Sequence, residues 1–243
     1  MIKSVLLVFA MEAEAKPLIQ TLELKEDVPA KIVGPAPCVT FSGEHQGLSV
    51  HVVWNGRCKD HGVDNVGTVP ASLSTYLAVL AFKPDVVISA GTCGGFKAQG
   101  AAIGDVFLGT AVINHDRRIP LPSFDKYGLG HAQLLATPHL QAALGLKSGV
   151  VSSGNSLDYT DKCMEIMTAH GAALKEMEAA AIAWACALYK VPLMCVKAVT
   201  DIVDGDRPTA EEFLENLHSA AAALQSTLPK VLGYLAGKEL AQL

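Results

Sequence analysis

Between positions 174 and 208 the chain reads LKEMEAAAIAWACALYKVPLMCVKAVTDIVDGDRP, and residues 179–189 within it carry no charge at all. An Ala-rich run of that length is too long for an ordinary strand and predicts a helix buried on most faces. Val191-Pro192-Leu193 ends it, and the short apolar segment 193–200, β-branched at its end, predicts a central strand of a parallel sheet. Two isolated carboxylates flank these elements: Glu178 at the helix entrance and Asp201 as the first residue past the strand. In open α/β sheets ligands lie outside the carboxyl ends of the strands, so a strand-end Asp faces the place where chemistry is done. Each residue also has a structural reading, which comes first when it is taken singly. Asp201 would cap a turn into Asp204-Gly205-Asp206, and Glu178 would complement the helix dipole.

The 243 residues, 50% apolar and 18% charged, suffice for one large core and predict a single domain over 1–243. No apolar run is long enough to span a bilayer, and segment 5–10 is shorter than a signal-peptide core and leads into Glu12 and Glu14. The expectation is a soluble, unsecreted, cytoplasmic protein. Six cysteines without Cys-x-x-Cys spacing predict reduced thiols rather than disulfides or a metal site, and no cofactor is expected. A net charge of -5 with scattered Lys and Arg offers no footprint for nucleic acid or membrane. Of eight histidines none forms a His-x-x-x-His pair, and only His115, in His115-Asp116-Arg117-Arg118, falls in a loop with a functional look.

Segment 4–10 predicts a strand, and Met11-Glu12-Ala13-Glu14-Ala15 the start of a helix, so Glu12 and Glu14 open on the same carboxyl edge or simply complement a helix N-terminus. Strands at 39–42 and 48–54 form a hairpin through the polar turn 43–47. The Gly-rich stretch 55–67 is an active-site loop or a connector, and 68–82 is a helix with Pro70 in its first turn. A buried strand at 85–90 ends in Gly91-Thr92-Cys93-Gly94-Gly95, where close glycines would let backbone N–H groups approach a ligand. The motif lacks both the P-loop Lys-Ser/Thr ending and G-x-G-x-x-G spacing, which argues against nucleoside triphosphates and dinucleotides. A strand follows at 103–113, then a long aperiodic loop at 114–130 of the kind that is functional or part of an interface. A short strand at 149–153 leads into the turn 154–158, and helices are expected at 161–170 and 209–236.

Taken together, MEAE after the first strand, AGTCGG after a later one, KEMEAAA at a helix entrance and VTDIVDG after the last strand resemble the nucleoside phosphorylase/nucleosidase family. The runs HDRRIP and DGDRPTAEEFLENL are similar to its plant-type 5'-methylthioadenosine nucleosidases, and the likeness covers nearly the whole chain in order. It implies a three-layer αβα fold around a mixed, partly barrel-like sheet, and a homodimer whose neighbour helps close each pocket. It also implies hydrolysis of an N-glycosidic bond to adenine, which passes through a ribose cation-like transition state. By resemblance Asp201 protonates adenine N7, Glu178 accepts hydrogen bonds from the ribose hydroxyls, and Glu14 positions and activates the water. Thr92 and Lys197 match positions lining the water and ribose side, and Met177 packs beside the sugar. Leu157 matches the position over the adenine face, and Asp158 recognises the base through its backbone. Phe124 is the residue contributed by the neighbouring subunit to the alkylthio pocket. The chain departs from the family at Asn155, where Asp is common, with altered hydrogen bonding near the base as the expected result, and at Leu157, where bacterial members carry an aromatic ring.

A phosphorylase and a non-catalytic storage relative are the two rivals. The first needs cations for phosphate where Glu14 would repel it, and the second is expected to have lost the catalytic carboxylates. Apolar Pro120, Leu121, Pro122 and Phe124 in the long loop predict a shielded methylthio end and a poor fit for the charged tail of S-adenosylhomocysteine.

Overall fold

Strand β1 (Ser4–Phe9) is apolar from Val5 onward, and those residues divide between two cores. Val5, Leu7 and Phe9 enter one, while Leu6 and Val8 enter the other. A strand buried on both faces needs cover on both faces, and the computed structural model, which describes residues 1–243, supplies it with helices on either side of one sheet. After β1 come α1 (Glu12–Thr21), β2 (Lys25–Glu26), β3 (Val39–His45), β4 (Leu48–Trp54), α2 (Thr68–Phe82) and β5 (Val86–Gly95). The next elements are β6 (Val106–Asn114), α3 (Phe124–Leu129), β7 (Ala132–Gln133), α4 (Pro138–Leu144), β8 (Lys147–Ser153) and α5 (Asp161–Ala169). The chain closes with β9 (Ala172–Glu176), α6 (Ala179–Tyr189), β10 (Leu193–Ile202) and α7 (Thr209–Leu235).

Helices α1 and α7 cover the first core; α7 contributes Ala220, Leu224, Leu228, Val231, Leu232 and Leu235, a stripe at helical spacing. Helices α2 and α6 cover the second through small residues such as Ala71, Ala78, Ala179 and Ala183. The Ala-rich composition of α6 thus lets a helix approach the sheet closely.

All ten strands form one sheet, parallel and antiparallel pairs mixed. Its centre is β5, which pairs in parallel with β1 and with β10, and then at its last two residues antiparallel with β9. The path β10-β6-β8-β9-β5 returns to β10 and closes a ring, while β1-β4-β3-β2 extends from β5 as an open wing. The expected three-layer αβα architecture with a partly barrel-like mixed sheet is therefore present.

Closing the ring lengthens β5, β8 and β10 beyond the sequence-based bounds, while β6 starts three residues later than expected. β5 continues past Ala90 through all of Gly91–Gly95, so the glycine motif is strand rather than loop. β10 likewise runs to Ile202, which places Asp201 within the strand and not beyond it. Register between β10 and β5 shifts between Val199 and Asp201, leaving Thr200 as the extra residue of a bulge, a device that re-aims side chains near active sites. Strand β9 and helix α4 were not anticipated, and the 114–130 loop contains the short helix α3.

Candidate active site

Gly94 of β5 pairs with Asp201 of β10 on one side and Lys175 of β9 on the other. The strand ends surround a cavity of about 250 Å³ whose walls include Glu14, Thr92, Leu157, Lys175, Glu176, Met177, Glu178 and Asp201. The glycines of β5 make room for its carboxylates. A Cβ on Gly94 would come within 2.6 Å of Asp201 Oδ2, and one on Gly91 within 3.1 Å of Glu14 Oε1. Only the second is a contact that small shifts could relieve. The motif lines the cavity with Thr92, Cys93 and Gly94 and clears space for the carboxylates beside them.

Glu14 sits in the first turn of α1, its side chain almost fully buried. Its Oε1 accepts from the Thr92 N–H at 2.7 Å and the Thr92 hydroxyl at 2.7 Å, and Oε2 accepts from the Met11 N–H at 3.2 Å. Burial raises its pKa above the usual carboxylate value, and the Thr92 bonds and Lys197 oppose that rise. Glu12, by contrast, pairs with Arg57 at 2.6 Å on the surface and takes no part in the cavity.

At the middle of the cavity the helix entrance of α6 holds two carboxylates with different duties. Glu176, at the end of β9, accepts from the Ala179 N–H at 2.9 and 3.0 Å and from the Glu178 N–H at 3.1 Å. It also accepts from the Ser153 hydroxyl and from Lys197 Nζ, the latter at 2.9 Å. It therefore satisfies the N–H groups of the helix start that Glu178 was expected to complement. Burial alone would raise the Glu176 pKa, but Lys197 and these bonds outweigh it and hold the group ionised. Burial likewise works against the Lys197 charge, and Glu176 with Glu178 raises its pKa nonetheless. Glu178 has one protein donor, the Gly67 N–H at 2.8 Å on Oε1, which leaves acceptor capacity facing the cavity. Burial and the negative charge of Glu176 push its pKa up to about 7.

At the far end Asp201 is buried, and Thr200 Oγ1 lies 2.7 Å from its Oδ1 and 3.1 Å from the Cys93 carbonyl oxygen. The single hydroxyl proton serves one of these acceptors; when it goes to Oδ1, Oδ2 over Gly94 is left to carry an acid proton. Burial raises the Asp201 pKa, Thr200 and Lys175 oppose the rise, and Glu212 adds to it. The turn-cap reading fails, because Asp204 and not Asp201 accepts from loop N–H groups, those of Lys97 and Ala98.

Of the residues named from sequence, Glu14, Thr92, Leu157, Met177, Glu178 and Asp201 meet at this cavity. Lys197 stands behind the wall, paired with Glu176. Asp158 is exposed and its side chain does not line the cavity, and Phe124 is 52% exposed on α3, away from this cavity. Asn155 does not reach the cavity either. Its Oδ1 accepts from the Thr68 N–H at 3.0 Å and hydroxyl at 2.8 Å, fastening the start of α2. His115 is buried against Gly154 with Nδ1 3.0 Å from Ser152 Oγ, and burial lowers its pKa to about 4, so it is a neutral packing residue. Sequence reasoning missed Glu176, Lys175, Thr200 and the apolar wall of Met11, Val66 and Phe213. A lone Lys197 in an otherwise apolar strand was the available signal for Glu176, since a buried ammonium requires a counter-charge. No group of three or more His, Cys, Asp or Glu side chains converges where it could hold a metal ion.

The raised pKa of Glu178 carries a stability prediction. A folded-state value near 7, above the ordinary 4.5, contributes stability that is full below about pH 4.5 and is lost as pH rises through about 7. Glu178→Gln, neutral at every pH, should gain on the wild type over that interval. Urea unfolding at pH 5 and pH 8 checks this: a stability difference that stays constant or moves the other way contradicts the assignment.

Residues 4–233 match the sequence model of the phosphorylase superfamily. The chain is 49% identical over 242 residues to an Arabidopsis thaliana protein named 5'-methylthioadenosine nucleosidase, covering 100% of this chain and 91% of the relative. A second Arabidopsis thaliana protein, named 5'-methylthioadenosine/S-adenosylhomocysteine nucleosidase, is 46% identical with 100% and 95% covered. The solved apo structure of Arabidopsis thaliana 5'-methylthioadenosine nucleosidase superposes with a TM-score of 0.98 at 49% identity, covering 100% of this chain and 99% of the other. With the fold, the order of the motifs and the full-length likeness in agreement, the chain belongs to the phosphorylase superfamily and, within it, to the 5'-methylthioadenosine nucleosidases.

Proposed function

We propose that the chain, acting as one catalytic domain over residues 1–243, hydrolyses the N-glycosidic bond of 5'-methylthioadenosine to adenine and 5-methylthioribose, a step of methionine salvage. The observation that carries this reading is one cavity in which, beside the ion-paired Glu176, three carboxylates (Glu14, Glu178 and Asp201) stand in three different states of hydrogen bonding. Asp201, whose raised pKa favours the protonated form, gives its proton to N7 of the purine. The C1'–N9 bond then breaks with its electron pair moving to the base, and positive charge develops on the ribose. Glu178 accepts from the ribose hydroxyls through the capacity left beyond Gly67 N–H, and the negative wall of Glu14 and Glu178 favours the cation. Glu14 takes a proton from the water that attacks C1'. Met11, Val66, Met177 and Phe213 offer an apolar wall suited to a methylthio group.

Phosphorolysis is disfavoured by charge. The one cation of the wall, Lys175, gives two of its three donors to backbone carbonyls and stands across Gly94 from Asp201, and Lys197 is held by Glu176, so no uncommitted Lys or Arg side chain is offered to phosphate beside Glu14. A storage role is disfavoured by the retention of all three carboxylates. A homodimer is supported by the apolar face left uncovered on α2 and α6, where Val69, Leu73, Tyr76, Trp184 and Leu188 are exposed. In that assembly Phe124 of one copy would close the alkylthio end of the other's cavity. No helix is long and apolar enough to cross a membrane, and six free cysteines fit a cytoplasmic setting.

Adenine should be released from methylthioadenosine in phosphate-free buffer. Release that requires phosphate and yields a ribose 1-phosphate would show a phosphorylase instead. Asp201→Asn should lose kcat by about a hundred- to ten-thousand-fold while substrate affinity stays within about tenfold, since the amide retains a hydrogen bond to N7 without a proton to give. Near-normal turnover in that variant removes Asp201 from the acid role. The efficiency kcat/KM should be clearly higher for methylthioadenosine than for S-adenosylhomocysteine, and Phe124→Ala should narrow the ratio. Equal efficiencies in the wild type refute the preference, and an unchanged ratio in the variant refutes the part given to Phe124.

A further inference from the structure

Lys175 is the one cation in the cavity wall, and neither the water, the ribose nor the acid step above employs it. It is 5% exposed, and its Nζ donates to the carbonyl oxygens of Ser156 at 2.9 Å and Leu157 at 2.7 Å. An ammonium has three donors, and the third has no acceptor in the chain. In a trans peptide the C=O and N–H point in opposite directions. Holding the two consecutive carbonyls therefore turns the N–H groups of Leu157 and Asp158 away from Nζ, and neither finds a backbone acceptor. These are the amides of the turn that carries Leu157 over the cavity. On the other side of Gly94, at the matching register, stands Asp201.

We infer that Lys175 is a positioning residue for departure of the purine, tying the Ser156–Leu157 turn to β9 and stabilising the Asp201 carboxylate left after proton transfer. The inference rests on the nucleosidase reading of the site. In the step concerned the proton passes from Asp201 to N7, the C1'–N9 electron pair goes to the purine, and Asp201 is left negative. Lys175 keeps all its protons and acts by charge and by hydrogen bonds. The groups around the pair are consistent with this. Asp201 faces Lys175 from β9 and Glu212 from α7, with Thr200 bonded beside it. Lys175 faces Asp201 from β10, Asp158 from the turn, Glu176 from its own strand and Cys163 from α5, all of which favour its charged form against the effect of burial. His115, which Lys175 also influences, is neutral.

The test uses the full chain with Lys175→Met, Lys175→Gln and Lys175→Arg. For each, kcat/KM on methylthioadenosine is followed across pH, adenine binding is measured by calorimetry, and thermal unfolding checks the fold. Lys175→Met should lose about tenfold or more in kcat/KM, bind adenine more weakly, and move the alkaline limb set by Asp201 to higher pH, because a neighbouring cation is gone. Lys175→Gln, which keeps donors without charge, should show the displaced limb. Lys175→Arg should leave the limb in place. If Lys175→Met does not fold, the comparison of Gln with Arg reads the same charge effect. An alkaline limb at the wild-type position in the neutral variants, or displaced equally in Lys175→Arg, overturns the inference. If the wild type releases no adenine, the nucleosidase reading fails by itself. Adenine binding then still tests the turn, and an affinity unchanged by Lys175→Met overturns the clamp.

Discussion

The buried ion pair between Lys197 and Glu176, 2.9 Å apart, is the interaction on which the site depends. It joins the middle of β10 to the end of β9, across the ring of strands, and sets the charge balance of everything beside it. Glu14 and Glu178 both feel the Lys197 cation. One ammonium cannot neutralise three carboxylates, and Glu176 takes most of it through direct contact. Glu178 is buried and left with the negative charge of Glu176 as a neighbour, and burial first and that charge second hold its proton to about pH 7. Breaking such a pair by removing one partner leaves the other charged, buried and unmatched, at a cost of about 3–5 kcal/mol in comparable cases. The pair is thus a structural requirement and at the same time, beside burial, one contributor to the unequal acidities of Glu176 and Glu178.

Backbone irregularity does for Asp201 what that ion pair does for Glu178. The bulge at Thr200 inserts one residue where β10 passes β5, turning Asp201 into register with Gly94. Gly94 then has no side chain to occupy the place of Oδ2. Bulge and glycine are separate sequence features more than a hundred residues apart, and each is meaningful only with the other.

Much of this was legible beforehand, and the exceptions share a cause. Helices α2 and α6 fall where the apolar and Ala-rich runs put them, and Glu14, Glu178 and Asp201 stand out because they are isolated charges beside apolar segments. Strand β9 has only five residues, Ala-Ala-Leu-Lys-Glu, and lacks the alternation or β-branched content that marks a strand; its pairing on both edges makes it one. With β9 unseen, Lys175 and Glu176 had no place in the picture. The glycines of β5 were read as a loop because a closed ring demands longer strands than an open sheet, and closure is a non-local property. Asn155 is placed near the base by the resemblance, as the position where the family commonly carries Asp, whereas its side-chain partner here, Thr68, lies in a distant part of the chain.

Ring closure also limits how this protein can move. With β5, β6, β8, β9 and β10 hydrogen-bonded to neighbours on both sides, no strand on that circuit can slide or peel away without rupturing a ladder. The floor beneath a ligand is therefore held on both edges of every strand, whereas the segments above it have no such ladder. Among the bonds that latch those segments are Gly67 on Glu178, Thr68 on Asn155, and Asn155 on Asp116. One of these latches is a cavity carboxylate, so the segment before α2 and the interior of the site share an atom, Glu178 Oε1, and a ligand that draws on that oxygen competes with the backbone for it.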